Sequence, residues 1–247
     1  MSNLNSFRPV SRQSLSESVY LQLKERIVRR ELAAGSALPS ERELSEMLGV
    51  NRGAVREAVK RLQQAQLLSV RQGGNHVVLD YLDEAGLELL PSLLLDKRGR
   101  MSGAAVRAVM AMRSALAPDI AAAAAGHGGD ALARELQLLL EQMRAAGDDV
   151  AALQNHCFEF WKALVAASGN IAFRLSFNSM QKTYRQVWSL LTKVMEAEFR
   201  DLAGLSRIAR AVAAGDAEAA RTAGRRHVEI GRRALERALD ANTAEGG

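Results

Sequence analysis

Apolar residues recur at helical spacing along most of this chain, and the pattern is interrupted once, between residues 65 and 80. Val19, Leu23 and Ile27 share one face and predict a helix over about residues 16–31, broken by Ala34-Gly35-Ser36. Leu44, Met47 and Leu48 form the apolar stripe of a second, short helix. It opens on Pro39-Ser40-Glu41-Arg42-Glu43, a capping box in which Ser40 caps the Glu43 amide and Glu43 reaches back. Gly49 ends it, where left-handed backbone costs a glycine little. Asn51 caps the next helix, whose buried face is Val55, Ala58, Val59 and Leu62 at i, i+3, i+4 and i+7. Residues 68–71 and 76–79 then flank Gln72-Gly73-Gly74-Asn75, a hairpin with glycines at its turn. Two short helices at a sharp turn and a two-stranded wing make a winged helix-turn-helix.

From residue 81 onward the periodicity is helical throughout. Leu87, Leu90 and Leu94 open it, with Pro91 marking a kink or restart. Val106, Val109, Met110, Arg113 and Leu116 follow, with Pro118 as a second kink. Further helices are expected over about 131–144, 150–167 (stopped by Ser168-Gly169-Asn170), 171–195, 199–214 and 216–240. Gly215 ends one of these and Asp216 caps the next. No convincing strand is present. The expected fold is mainly α: a flexible arm over 1–13, a winged helix-turn-helix with a small β-hairpin wing over 14–80, and an all-α bundle of six or seven helices over 81–243.

Charge sharpens this division. The 247 residues carry a net charge of +5. Residues 1–80 hold 12 Lys/Arg against 8 Asp/Glu, hence +4, and the other 167 only +1. The excess thus lies in the arm and the helix-turn-helix together, as the footprint of a polyanion reader should. Arg52, Arg56 and Lys60 sit four apart on the outward face of the second helix, with small Gly53 and Ala54 at its first turn. Such a helix can enter a DNA major groove closely. One cysteine, Cys157, allows no internal disulfide and fits a reducing cytoplasm. The N-terminus lacks an apolar signal core, and no stretch approaches a membrane span; residues 121–125 are too short and too weakly apolar.

The stretch Leu38-Pro39-Ser40-Glu41-Arg42-Glu43-Leu44, with Val50-Asn51-Arg52, Val55-Arg56-Glu57-Ala58 and Leu62 before the glycine-tipped wing, resembles the GntR family of bacterial transcription regulators. The second half resembles the effector-binding and dimerisation domain of its FadR subfamily, through Ala166-Ala167-Ser168-Gly169-Asn170 and Ala214-Gly215-Asp216-Ala217-Glu218-Ala219-Ala220 ending in His227. The resemblance implies a homodimer on a pseudo-palindromic double-stranded DNA operator, released or engaged by a small-molecule effector. By resemblance and geometry together, Arg52 and Arg56 are the expected base readers. Arg42 and Lys60 are expected at the groove edge and a phosphate. Asn51, Gly53 and Ala54 supply the close helix start, and Gln72 and Gly73 bring the wing to the minor groove.

Many members of that subfamily hold a divalent metal through an Asp and a His four apart and two later His residues. Aligned on the motifs above, those positions fall on Cys157, Trp161, Leu205 and His227. Trp and Leu cannot ligate, so no metal and no other cofactor is expected. His156 points about 100° away from Cys157 on a helix and does not restore the set. The fatty-acid regulator of the subfamily also lacks the metal set and responds to long-chain acyl-CoA. A fatty acid or acyl-CoA is therefore one expected effector; a small carboxylate or sugar acid bound without metal is the alternative. Eight of the eleven aromatic residues lie between Phe158 and Phe199. Among them Trp161, Tyr184 and Trp188 are the expected pocket lining, with Arg113 as an anchor for an acid and His227 beside it. The Arg225, Arg226, Arg232, Arg233 run reads as a solvated face. An enzyme is the competing class, but no nucleophile elbow, phosphate loop or spaced carboxylate pair is present, and a nucleoid-coating protein would need no such second domain.

Overall fold

The computed structural model describes residues 14–71, 75–95 and 101–244. The chain forms two compact units, one up to Ser92 and one from Leu93. The expected arm over 1–13 and the wing-tip residues Gln72 and Gly73 lie outside the described residues.

In the first unit, α1 (Leu15–Val28) starts at Ser14, whose hydroxyl accepts from the Glu17 amide, and buries Val19, Leu23 and Ile27. Helix α2 (Glu41–Leu48) has the expected capping box. The Ser40 hydroxyl accepts from the Glu43 amide at 3.3 Å, and the Ser40 amide donates to the Glu43 carboxylate at 2.8 Å. Gly49 takes φ 64°, the left-handed turn into α3 (Arg52–Gln64). Asn51 caps α3 by accepting from the Ala54 amide at 2.8 Å. Val55, Ala58, Val59 and Leu62 are buried as the spacing requires, and α1 packs on them. One expectation fails: Met47 is 69 % exposed. Only Leu44 of the α2 stripe is fully buried, because an eight-residue helix presses a single edge inward.

Strands β1 (Leu68–Val70) and β2 (His76–Val78) pair antiparallel, with Leu68 opposite Val78. The segment read as a mere helix breaker joins them. Gly35 and Leu38 amides donate to the Val78 and His76 carbonyls, both at 2.8 Å, and the Val78 amide donates to Ser36. It covers the β2 edge that a two-stranded wing would leave open. Short α4 (Tyr81–Glu84), a 3₁₀ turn at Leu87–Leu89 and α5 (Leu90–Leu93) complete the passage to the second unit.

The second unit is all helix apart from a lone bridge between Leu95 and Met101 among the described residues. It comprises α6 (Gly103–His127), α7 (Gly129–Ala146), α8 (Val150–Ala167), α9 (Ile171–Gln186), α10 (Trp188–Val194), α11 (Glu196–Phe199), α12 (Leu202–Ala213) and α13 (Ala217–Ala244). Helix α13 packs along α6 and α12, while α7 packs on α8 and α12. Phe160, Leu136, Leu140, Leu164, Leu205 and Ile208 form the driest part of the core.

Two expectations need correction, and a third is refined. Pro118, expected to mark a kink, lies inside α6, which runs on through it for 25 residues. Pro118 and its neighbours Ala117, Ile120 and Ala121 are all buried, and that packing outweighs the lost backbone bond, about 3 kcal/mol. This same helix is long and apolar enough, by length and composition, to cross a membrane. Half of its apolar window is buried in the bundle, so its hydropathy serves the core. The expected single helix over 171–195 is broken at Val187, and a second break at Met195 falls at its expected end. Neither break contains Gly or Pro. The carbonyl of Trp188 instead receives the Gln154 side-chain amide at 3.1 Å and the Thr192 hydroxyl at 3.0 Å. A tertiary partner thus anchors the turn, which local periodicity cannot report.

Candidate functional site

The outer face of α3 begins with Arg52, Gly53 and Arg56, all exposed beyond the Asn51 cap, and ends with exposed Lys60. Arg52 forms no ion pair among the described residues. Arg56 lies 3.3 Å from Glu41, Arg42 is 3.1 Å from Glu46, and Lys60 is 3.2 Å from Glu57. These are exposed pairs of small strength, easily exchanged for phosphate. The Asn51 side-chain oxygen is committed to the cap, leaving its amide hydrogens for any further contact. Ala54 is partly covered by the fold. Arg52, Gly53, Arg56 and Lys60 thus share one exposed face, with Arg42 on the preceding helix.

In the second unit, four of the five expected pocket residues meet. Arg113 on α6, Trp161 on α8, Tyr184 on α9 and Trp188 on α10 line one cavity of about 70 Å³. One water needs roughly 10–15 Å³ on this measure, so the space suits about five waters or a slender carbon chain. The rest of the wall is almost wholly apolar, including Leu116, Ile120, Phe158, Phe177, Met180 and Phe199. Phe158 packs against Phe177 at 5.0 Å and edge-on to Trp188 at 5.7 Å.

His227 is the exception. It is fully buried but is not part of the wall; its ring stacks on Trp161 with centroids 6.1 Å apart. Its Nδ1 lies 3.1 Å from Asp201, to which it donates, and its Nε2 lies 3.8 Å from the Cys157 thiol. Burial alone would raise the Asp201 carboxyl, but the His227 and Gly204 hydrogen bonds prevail and hold it below the usual carboxylate value. A depressed folded-state pKa stabilises above the unfolded value, and that stabilisation is lost as pH falls through the folded one. Thermal stability should therefore decline below about pH 4, and Asp201→Asn should flatten that decline in melts recorded from pH 6 to pH 3.

Glu198 is the functional residue that sequence reasoning missed. It is fully buried on α11 and grips Arg113 through both guanidinium nitrogens, one at 2.8 Å. It also accepts from the Gly231 backbone amide at 3.1 Å. A Cβ on Gly231 would collide with this carboxylate, so the close approach requires glycine. Burial works against the Arg113 charge, yet Glu198 overcomes it and keeps the guanidinium more firmly protonated than a free arginine. The only sequence signal was an acid among apolar positions near Phe199, and nothing linked it to Arg113, 85 residues away.

Cys157, Glu198 and His227 bring their donor atoms within 4.8 Å of one another, the one such buried group among the described residues. As a metal site it is poorly disposed. Both Glu198 oxygens are already taken, the Arg113 cation lies alongside, and burial followed by the Glu198 charge pushes the Cys157 thiol up, favouring its protonated form. Leu205, at another expected ligand position, is buried core. In the basic run, Arg232 and Arg233 clamp Glu229 and draw its carboxyl down to about 2, whereas Arg225 and Arg226 are exposed.

The sequence model of the bacterial regulatory proteins of the gntR family matches residues 15–78, and that of the FCD domain matches residues 108–230. The HTH-type transcriptional regulator Mce2R of Mycobacterium tuberculosis is 36 % identical over 232 residues, covering 93 % of this chain and 95 % of the relative. The chain belongs to the GntR family of bacterial regulators. It is a ligand-responsive DNA-binding transcription regulator with an FCD domain. The fatty acid metabolism regulator protein of Edwardsiella ictaluri is 28 % identical over 186 residues, 75 % of this chain and 76 % of that one. A solved structure of Lar, described as controlling the agr system of Listeria monocytogenes, aligns with a TM-score of 0.54 over 94 % of this chain and 99 % of that one. At 16 % identity this likeness concerns the fold alone.

Proposed function

We propose that this regulator acts in the cytoplasm as a homodimer on a pseudo-palindromic operator, and that a small apolar effector in the second unit changes its DNA affinity. The observation that carries the DNA reading is the start of α3, where Arg52, without an ion pair among the described residues, and exposed Gly53 follow a capped helix end. Arg52 and Arg56 read guanine edges, Arg42 and Lys60 hold backbone phosphate, and the wing around Gln72 and Gly73 follows the minor groove. The effector reading rests on the largely apolar cavity, whose wall suits the acyl chain of a fatty acid or acyl-CoA. A small carboxylate or sugar acid, the alternative, would meet an Arg113 already paired with Glu198.

The role requires no metal, since an apolar effector asks for no cation, and no catalysis. Cys157, His227 and Asp201 do line up as a thiol, an imidazole and a carboxylate. The thiol is buried and held protonated beside Glu198, the reverse of an activated nucleophile. Selection from a randomised duplex pool tests the central reading. It should return a two-fold symmetric sequence bound about 10³-fold or more tighter than scrambled DNA at one salt concentration. Equal affinity for both duplexes would sink it.

A further inference from the structure

The charge state of the cavity points to the ligand's chemistry. Resting on the effector reading above, we propose that the cavity selects an uncharged apolar ligand with one hydrogen-bond acceptor, an ester carbonyl, and discriminates against the free carboxylate.

Four titratable groups face the space from four helices: Arg113 on α6, Cys157 on α8, Tyr184 on α9 and Glu198 on α11. Cys157 and Tyr184 are neutral; burial pushes both acids up. Arg113 and Glu198 cancel. Glu198 cannot easily yield its place to a ligand carboxylate, because it is also tied to the Gly231 amide and lies at zero exposure. An entering anion would therefore be buried without a free counter-charge, which disfavours it unless it takes up a proton.

A neutral acceptor meets the opposite situation. Trp161 Nε1 and Tyr184 Oη are buried with no hydrogen-bond partner among the described residues, and both residues line the cavity. Trp161 is 7 % exposed, and its ring nitrogen can only donate. Buried donors left unpaired are costly, so a carbonyl that engages Tyr184 Oη recovers stability, with Trp161 Nε1 as a second donor. Arg113 adds N–H groups beyond the two committed to Glu198.

The chain has two tryptophans, Trp161 and Trp188, and both line this cavity, so intrinsic fluorescence reports on its occupancy. Titration of the full-length protein with methyl octanoate and with octanoate at pH 8 is the test. The ester should bind at least about tenfold more tightly than the anion, and octanoate should improve as pH falls towards its own pKa. Tyr184→Phe keeps both fluorophores and should weaken ester binding by about 2- to 10-fold, the worth of one hydrogen bond. Octanoate binding as tightly as the ester at pH 8 would overturn this proposal and leave an apolar effector site standing. Binding of neither would overturn both. An unchanged ester affinity in a folded Tyr184→Phe variant would overturn the acceptor assignment.

Discussion

Glu198→Ala should destabilise the second unit by about 3–5 kcal/mol, among the largest effects of any single substitution here. The variant leaves the Arg113 guanidinium, whose side chain is 11 % exposed, without its counter-charge. It also removes the carboxylate acceptor of the Gly231 amide. The loss arises from the group left behind, since the intact pair recovers much of its own desolvation cost. Two further variants separate these contributions. Glu198→Gln preserves shape and one acceptor but not the charge, and should fall between wild type and alanine. Arg113→Met combined with Glu198→Leu removes both charges and should regain most of the stability lost by Glu198→Ala. Urea unfolding followed by tryptophan fluorescence reports the second unit, which contains Trp161 and Trp188. A Glu198→Ala midpoint indistinguishable from wild type would show that the buried pair is not formed in solution.

The second large effect concerns DNA. Arg52→Ala should cost about 1–3 kcal/mol in operator affinity and relax preference at one base pair per half-site. Arg52 stands at the first position of α3, where a recognition helix approaches base edges, and no carboxylate among the described residues competes for it. Lys60→Ala, two turns further on, should weaken operator and scrambled DNA alike and reduce the salt slope by about 1. Fluorescence anisotropy on both duplexes across a salt series distinguishes the two behaviours. If Arg52→Ala kept wild-type affinity and sequence choice, the docking geometry assumed here would be wrong.

The helix-turn-helix could be read locally because its determinants are local. Ser40 and Glu43 are three residues apart, Asn51 caps an amide three residues on, and Gly49 meets a single backbone angle. The apolar stripe of α3 then follows from helical spacing. Met47 shows the limit of that logic, since spacing says which face a residue is on but not how wide the buried strip will be.

In the second unit the helical class, the Gly215-Asp216 boundary and the aromatic wall were legible in the chain. Trp161, Tyr184, Trp188 and Arg113 meet in one cavity, yet the pairing that sets its charge was not legible. Arg113 and Glu198 are 85 residues apart, and an isolated acid in a short helix carries no mark of its partner. The break at Val187 belongs with it, as does the passage of α6 through Pro118. Sequence alone determined where helices can start, which faces are apolar and which face of α3 is cationic, because these depend on neighbours within a turn. Only the tertiary structure decided which charges are cancelled, which polar atoms are left without partners and where a long helix bends. Those outcomes depend on desolvation and packing between segments far apart in the chain.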